Sequence, residues 1–562
     1  MATVSTRSTA VVTGALAACG GLVAGYSALA VAELTAAAVR PEAGPVTAVG
    51  GAVIDRTPGA VKDWAIRSFG TDDKLVLQLG ILALLALFAL ATGALAARHR
   101  RTACAGVALF GAVGAQAALS RPDSVGVTDA VPSLCGGLAG AGVLYALTTL
   151  LTRPAPPAAP APEDQDAPRT PARAQRESGG KATLRRWGSG LVRRDPVTGR
   201  LPRRAFVLAA AGTAAVASGL GHLARRVNAT TVAEATASRE AVRLPPPDSP
   251  APALPRGVDL RLPELTPYTT GTEDFYRVDT ALRVPYLDAG RWRLRLHGEG
   301  VRSPLVLDFQ DLLRRPLVER DITMTCVSNE VGGPYVGSAR WLGVRLKELL
   351  EEAGVRPPSR GGRADQLVAR SVDGMTIGTP VETVMDGRDA LLAVGMNGRP
   401  LPFDHGFPVR MLVPGLYGYV SACKWIEELE LTTFDAFDAY WVKRDWAAEA
   451  PVKTQSRIDT PRPFARPPAG RVTVAGVAWA QHKGIARVEV RVDDGPWQRA
   501  RLAPEGPVDT WRQWSWSWRA APGQHTLHVR ATDRTGRTQT PKRTRTVPDG
   551  ASGHHSVVVT VT

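Results

Sequence analysis

Five apolar runs crowd the first 225 or so positions of this 562-residue chain and constrain everything else it can fold into. They are roughly Thr9–Ala37, Leu75–Ala97, Thr102–Leu119, Pro132–Leu151 and Ala205–Leu223. A helix of about 20 apolar residues crosses a bilayer. The first two runs clear that length, and the third and fourth are near it and rich in small residues that let helices pack closely. Residues 1–152 therefore read as a four-helix transmembrane region, and 204–225 as a fifth spanning helix. The stretch Thr47–Gly70 is weakly apolar, charged and broken by Pro58, and reads as an external loop.

Arginine placement sets the topology. "RHRR" (Arg98–Arg101) and the basic segments of 153–203 belong on the cytoplasmic side, which puts the N-terminus inside and everything after Arg225 outside. The catalytic half would then be extracytoplasmic, in a multi-pass protein of the cell membrane. The formal charge is +16, but much of the excess sits in that linker, so no nucleic-acid partner is expected. The tract "RPAPPAAPAPEDQDAP" cannot bury a core and reads as a disordered tether. "RRAFVLAAAG", from Arg203, has a second reading as a twin-arginine-like export signal. Both readings stay open.

Beyond Val258 the texture is that of a soluble protein. "RWRLRLHGEG" alternates with period 2 and ends at Gly, as a strand does. "WLGVRLKELLEEAGV" has apolar residues at helical spacing with Gly354 as its C-cap, and "FPVRMLVPG" reads as a buried strand. Helices and strands mix without regular βαβ repetition, so 258–440 is assigned to the α+β class. From about Tyr440, short strands split by Gly, Asp and Pro turns suggest an immunoglobulin-like sandwich over 441–562. Trp479, Trp497, Trp511, Trp514, Trp516 and Trp518 crowd this region. They imply core packing plus a sticky face, and with it a homodimer through this domain.

Five cysteines are present, without CxxC, CxxCH or a spaced Cys/His set, so zinc ribbons, thioredoxin motifs and c-type haem lack support. Cys326, in "DITMTCVSNEVGG", admits three readings: half of a disulfide with Cys423, a nucleophile paired with a histidine such as His405, or a thiolate metal ligand.

The flanking blocks add to this. "FYRVDTALRVPYLDAGRWRLRLHGEGV", "TMTCVSNEVGGPYVGSARWLGVRLKELL", "SVDGMTIGTPVE", "HGFPVRMLVPGLYGYVSACKWIEELEL" and the tryptophan-rich tail occur in this order. Together they resemble the sulfite oxidase family of molybdopterin-dependent oxidoreductases, and most of all its bacterial, membrane-anchored branch. The resemblance implies a Mo-molybdopterin cofactor with Cys326 as the metal's thiolate ligand, consistent with the affinity of soft sulfur for such a metal. It implies that Tyr276 and Arg277 line the pterin cleft, that His405 and Arg410 hold the pterin and its phosphate, and that Ser421, Lys424 and Ser371 complete the pocket. Blander readings stand beside these: His405 as a turn residue, Arg277 in a surface ion pair with Asp279, Lys424 as an ordinary exposed strand residue. Arg410, inside an apolar strand, is hard to explain without an anion.

The substrate side departs from true sulfite oxidases. Asn329 fits the pattern, but Glu330 stands where an arginine is expected, and Met375 aligns with a tyrosine. Glu330 would repel sulfite, so Asn329, Glu330 and Met375 are taken as pocket residues suited to a neutral or cationic small molecule. His99 and His222 are the histidines near the spans, which makes a bis-histidine haem there an unpromising reading. The spans would instead anchor the chain or meet a quinone or cytochrome partner. The functional expectation is two-electron oxygen-atom transfer on a small substrate, in either direction. The rival is a non-catalytic, membrane-tethered surface protein presenting an immunoglobulin-like binding module.

Overall fold

Glycine decides how the N-terminal helices meet. The computed structural model describes residues 2–57, 61, 69, 73–121, 124, 126–152 and 203–562. It falls into two units, Met1–Ala229 and Thr230–Thr562. The first holds α1 (Ala2–Val39), α2 (Pro45–Arg56), α3 (Asp73–Ala96), α4 (Arg100–Leu119), α5 (Val131–Thr152) and most of α6 (Arg203–Ala241). A Cβ on Gly21 of α1 would lie 2.0 Å from the Ala89 carbonyl oxygen of α3, and one on Gly93 would lie 2.4 Å from the Ala17 carbonyl oxygen. Gly111 of α4 and Gly137 of α5 meet in the same way, a Cβ on either reaching the other's Cα at 2.9 Å. Helices this close need small residues at the crossing. Leu79, Leu84, Leu87, Leu109 and Leu138 point outward. Among the described residues, five stretches, Val12–Val39, Leu75–Ala96, Arg100–Leu119, Val127–Leu151 and Ala205–Ala241, are long and apolar enough to cross a membrane by length and composition.

Two expectations are corrected here. Pro45–Arg56 is helical rather than part of a loop, with Pro45 at its first turn, where a missing N–H costs nothing. The fifth apolar helix does not stop near Arg225 but runs to Ala241. Its last turn is fastened: Arg239 donates to the Leu401 and Pro400 carbonyls at 2.6 and 2.9 Å, and the Ser238 hydroxyl donates to Asp288 at 2.7 Å. Apart from Arg203, the linker 153–203 lies outside the described residues, as does most of 58–72.

In the second unit the strands are β1 (Arg293–Gly298), β2 (Leu305–Asp308), β3 (Val318–Thr325), β4 (Val336–Arg345), β5 (Gln366–Ser371), β6 (Thr376–Pro380), β7 (Leu391–Met396), β8 (Arg399–Pro400), β9 (Arg410–Leu412) and β10 (Ile426–Thr432). They form one sheet in the order β2-β1-β10-β5-β6 and another in the order β3-β4-β7-β8, with β9 also on β7. The alternation in β1 is realised: Leu294 and Leu296 are buried while Arg293 and Arg295 point out. β7, LLAVGM, is buried at every position. Short helices flank the strands, among them two that close with clear caps. In α7 (Phe309–Leu313), Asp308 and Asp311 form a reciprocal capping box. In α8 (Leu346–Glu352), the chain turns off at Gly354, φ +79°. The helical reading of "WLGVRLKELLEEAGV" therefore holds only over its second half. Trp341–Arg345 is strand, paired with β7 throughout and with β3 as far as Gly343, and flanking strands outweigh a helical period.

The remaining strands are β11 (Gln455–Thr460), β12 (Gly470–Trp479), β13 (Ile485–Val492), β14 (Gln498–Arg499), β15 (Arg501–Leu502), β16 (Arg512–Ala520), β17 (Gly523–Asp533) and β18 (His555–Val561). They make two antiparallel sheets, β11-β12-β16-β15 and β14-β13-β17-β18. Val474, Trp514 and Trp518 of one share a core with Val488, Val490, Leu527 and Val559 of the other. Trp479 and Trp511 instead join the core of the preceding sheets. Trp497 lies between the Arg491 and Arg530 guanidiniums, at 5.0 and 4.3 Å from its ring centre. Trp479, Trp511, Trp514 and Trp518 are buried and add nothing to a sticky face, while Trp497 and Trp516 are half-buried.

Candidate functional site around Cys326

Cys326 is the first residue past β3, at the mouth of a loop that returns as β4. The loop closes on itself. The Cys326 N–H donates to the Tyr335 carbonyl at 3.0 Å, and the Asn329 N–H donates back to the Cys326 carbonyl at 3.1 Å. Asn329 Oδ1 accepts from the Tyr335 N–H at 2.8 Å, so this residue is the loop's internal strut. Cys326 and Cys423 are both buried and free, so no disulfide joins them. Burial pushes the Cys326 thiol up, while the Ser328 N–H and hydroxyl, the Lys424 ammonium and the Val327 N–H act in the opposite sense. These donors and the cation offset part of the burial that opposes a thiolate, and the net direction stays upward.

The cationic side of the site comes from the turn before β9 and the turn before β10. Phe403–His405 is one turn of 3-10 helix, released by Gly406 at φ +104°, where a Cβ would also crowd Lys424. The chain then enters β9 at Arg410. Its guanidinium is 4 % exposed and stacks 5.1 Å above Trp341. One nitrogen donates to the His405 carbonyl at 3.3 Å, and Nε has no partner. No carboxylate pairs with it among the described residues. Burial lowers its pKa to about 10, which still leaves it charged at neutral pH. His405 is buried beside it, its Nε2 3.2 Å from the Thr272 carbonyl. A carbonyl only accepts, so Nε2 carries the hydrogen and Nδ1 is an acceptor. Nδ1 is buried and has no donor. Burial, with Arg410 and Lys424 nearby, draws the His405 pKa down to about 4.

Lys424 Nζ lies 3.0 Å from Asp279 Oδ2, which Arg277 Nε also meets at 2.9 Å; Arg277 reaches Asp404 at 2.9 Å as well. Burial brings the Lys424 pKa down to about 8. Three cations, Arg277, Lys424 and Arg410, thus answer two carboxylates. Tyr276 stacks on Phe275, and its phenol is held protonated by burial and by Cys326. The cluster has one orphan acceptor, one orphan donor and one buried cation without an anion. Buried polar groups are otherwise satisfied in native proteins. These residues therefore fit an anionic cofactor that also offers N–H donors.

Not every expected residue joins this cluster. Arg277 and Asp279 do form the ion pair that the alternative reading described. The Ser421 hydroxyl is turned inward to the Tyr417 and Leu416 carbonyls, at 3.0 and 3.1 Å. Ser371 and Met375 sit in the β5–β6 turn, where the Ser371 N–H donates to the Met375 carbonyl at 2.9 Å. Glu330 is exposed on the loop and makes no ion pair among the described residues. No hydrogen bond ties Ser371, Met375 or Glu330 to Cys326. Tyr417 was missed: it is buried, Cys326 contributes to raising its pKa, and its hydroxyl accepts from the Lys453 N–H at 3.4 Å. Its signal was the "GLYGY" turn. Asp279, two residues past Arg277, is the other omission, for it holds Lys424 as well.

The His405 geometry predicts a pH response. Its folded pKa lies below the unfolded value of about 6.5, so the unfolded chain takes up the proton first. The stabilisation is complete above about pH 6.5 and is lost as pH falls towards 4, by up to about 3 kcal/mol. Urea titration of cofactor-free protein between pH 7 and 4 should show this loss, reduced in His405→Gln. Equal pH slopes for the two proteins would contradict it.

Comparisons with known proteins define the class. Residues 281–441 match the oxidoreductase molybdopterin binding domain. Sulfite oxidase from Mus musculus is 32% identical over 278 residues, covering 42% of this chain and 50% of that one. Sulfite oxidase from Gallus gallus is 32% identical over 278 residues, covering 42% and 60%. NADH nitrate reductase 1 from Oryza sativa is 28% identical over 320 residues, covering 46% and 34%. Among solved structures, the sulfane dehydrogenase SoxCD of Paracoccus pantotrophus is 25% identical with a TM-score of 0.45, over 52% of this chain and 82% of that one. The chain spans about half the length of the curated relatives it matches. It carries a molybdopterin-binding oxidoreductase domain, and its cofactor is Mo-molybdopterin. Over the matched residues the chain is similar to the sulfite oxidases.

Proposed function

We propose that this chain is a membrane-anchored, extracytoplasmic oxidoreductase that transfers an oxygen atom, with two electrons, to or from a small substrate. The observation that carries the reading is the buried Arg410 guanidinium, without a carboxylate, beside the orphan acceptor of His405. When bound, the cofactor supplies the oxygen-atom and electron chemistry. The chain's residues do the rest. The Cys326 thiolate would ligate molybdenum. Arg410 and Lys424 would counter the phosphate, His405 Nδ1 would accept an N–H of the pterin, and Tyr276 and Arg277 would line the cleft, with Ser371 and Ser421 supporting it through the backbone bonds they make. Asn329 holds the loop. Glu330 and Met375 favour a neutral or cationic substrate such as a sulfoxide or N-oxide over sulfite. Residues 258–440 form the oxidoreductase domain and 441–562 an immunoglobulin-like sandwich. The five apolar helices are the spans, with their outward leucines in lipid. A quinone or cytochrome would exchange electrons with the site. A homodimer through the C-terminal domain would have to use surfaces other than its buried tryptophans.

The test is metal analysis of the full chain from a cofactor-competent host, followed by redox assays against sulfoxides, N-oxides and sulfite. The reading expects about one molybdenum per chain, as a single thiolate site implies, and turnover of a sulfoxide or N-oxide. Metal-free protein would instead favour the binding-module alternative. Glu330→Arg should lower KM for sulfite by about tenfold or more, since a like charge becomes an opposite one. An unchanged KM would remove Glu330 from the substrate pocket.

A further inference from the structure

The C-terminal strands reach across to the cysteine loop and to the strand that feeds it. Gln481, just past β12, donates to the Thr323 carbonyl at 2.9 Å and to the Thr325 hydroxyl at 3.0 Å. The Thr323 N–H donates to the Asp509 carbonyl at 2.9 Å, and the Trp511 N–H donates to the Thr323 hydroxyl at 2.8 Å. β3 lies at the edge of its sheet, so these bonds occupy backbone groups that an edge otherwise leaves open. The last strand before Cys326 is therefore gripped on its free side by the C-terminal half.

The grip extends to the loop itself through Arg457 of β11. This side chain is buried, and its fork has three partners. Nε donates to Asp459 at 2.6 Å, one terminal nitrogen to the Gly333 carbonyl at 2.9 Å, and the other to the Thr266 hydroxyl at 2.9 Å. Asp459 in turn accepts from the Thr266 N–H at 3.1 Å. The neighbouring Gly332, at φ +83°, lies directly against the His555 ring: a Cβ there would sit 2.1 Å from His555 Cδ2. His555 is itself fixed, its Nδ1 accepting from the Ile458 N–H at 3.0 Å. The far end of the loop is thus held by a guanidinium on one residue and backed by an imidazole on the next.

We propose that Arg457 is a positioning residue for the Cys326 loop, acting from the C-terminal strands with His555 as the backstop. Arginine suits this role because its planar fork binds three acceptors in one geometry. The ion pair with Asp459 keeps that fork aimed at Gly333. The consequence for the site rests on the reading of Cys326 as the metal ligand. A ligand loop held from two domains keeps the sulfur where the metal needs it, and supporting residues of this kind commonly tune the metal itself.

Hydrogen exchange on the full chain, purified without cofactor, tests the clamp. Arg457→Ala should speed exchange over residues 327–335 by about tenfold or more, while β13 and β17 keep their protection. Arg457→Lys, which retains a donor for the Gly333 carbonyl, should recover part of that protection. If the alanine protein does not fold, the lysine protein is read alone and should show a smaller acceleration confined to the same residues. Unchanged exchange in the loop overturns the proposal. So does acceleration spread evenly over the C-terminal strands, which would make Arg457 a general stability residue. In molybdenum-loaded protein the sulfur-to-metal absorption should also shift in Arg457→Ala. A changed loop with an unchanged spectrum would count against Cys326 as ligand and leave the clamp standing.

Discussion

Cys326→Ser is expected to leave a folded, soluble-domain-competent chain that no longer retains molybdenum. Serine fills nearly the same volume, and its hydroxyl meets the same Ser328 and Val327 donors that surround the sulfur. Loss of fold is therefore not expected. What changes is the ligand: a neutral hydroxyl is a poor substitute for a thiolate on a soft, polarizable metal. Molybdenum should fall from about one per chain to roughly a tenth of that or less, and turnover by about a thousandfold. Cys423→Ala is the matched control. Cys423 is also buried and free, and its sulfur donates to the Lys424 carbonyl at 3.7 Å. Burial pushes its thiol well up, with Arg410 and Arg370 acting in the opposite sense; the Ser328 and Val327 donors that surround Cys326 belong to that sulfur alone, so removal of Cys423 should leave metal content unchanged. Full molybdenum in Cys326→Ser, or its loss in Cys423→Ala, would reverse the assignment.

The contrast between these two cysteines shows what could be read before any fold was known. Both are single and unpaired, and neither belongs to a CxxC or spaced Cys/His set. The blocks around Cys326 set it apart. Arg410 was legible for a physical reason, since a guanidinium within "FPVRMLV" cannot be left unanswered in a core. The long apolar helices and β1 were legible because their patterns are local. Residues whose work depends on distant partners were not. Trp341–Arg345 carries a helical period, yet two neighbouring strands claim it. Asn329 was assigned to chemistry, and its amide spends its oxygen on Tyr335. Ser421 was assigned to the pocket, and its hydroxyl turns to the Leu416 and Tyr417 carbonyls just before it in the chain. Gly332 combines φ +83° with the approach of His555, over 200 positions later in the chain, while a side chain at Gly333 would meet Asn329 and Glu330 of its own loop; the first of these partners is invisible to a local reading.

Arg410→Met should move stability and cofactor binding in opposite directions. In the cofactor-free protein the guanidinium is a charge taken out of water and given one weak hydrogen bond to a carbonyl, with its Nε–H unsatisfied. Desolvation of such a charge costs several kcal/mol, and replacing buried ionic groups by apolar ones of similar size is often neutral or stabilising by about 1–4 kcal/mol. Methionine has the length to lie along Trp341 in the place of the arginine stem, and sulfur packs well on aromatic rings. Denaturation of cofactor-free Arg410→Met should therefore give a stability equal to or about 1 kcal/mol or more above that of the parent. The same substitution removes the cation that would answer the cofactor's phosphate. Truncating one side of a buried charge pair costs about 3–5 kcal/mol, a factor of at least a hundred in affinity. Retained cofactor, measured as molybdenum per chain after dilution and gel filtration, should fall accordingly. A protein that loses stability without its cofactor would show that Arg410 is structurally satisfied after all. A protein that keeps its molybdenum would show that the phosphate is held elsewhere. Either result would break the link between the orphaned guanidinium and the anion it is built to meet.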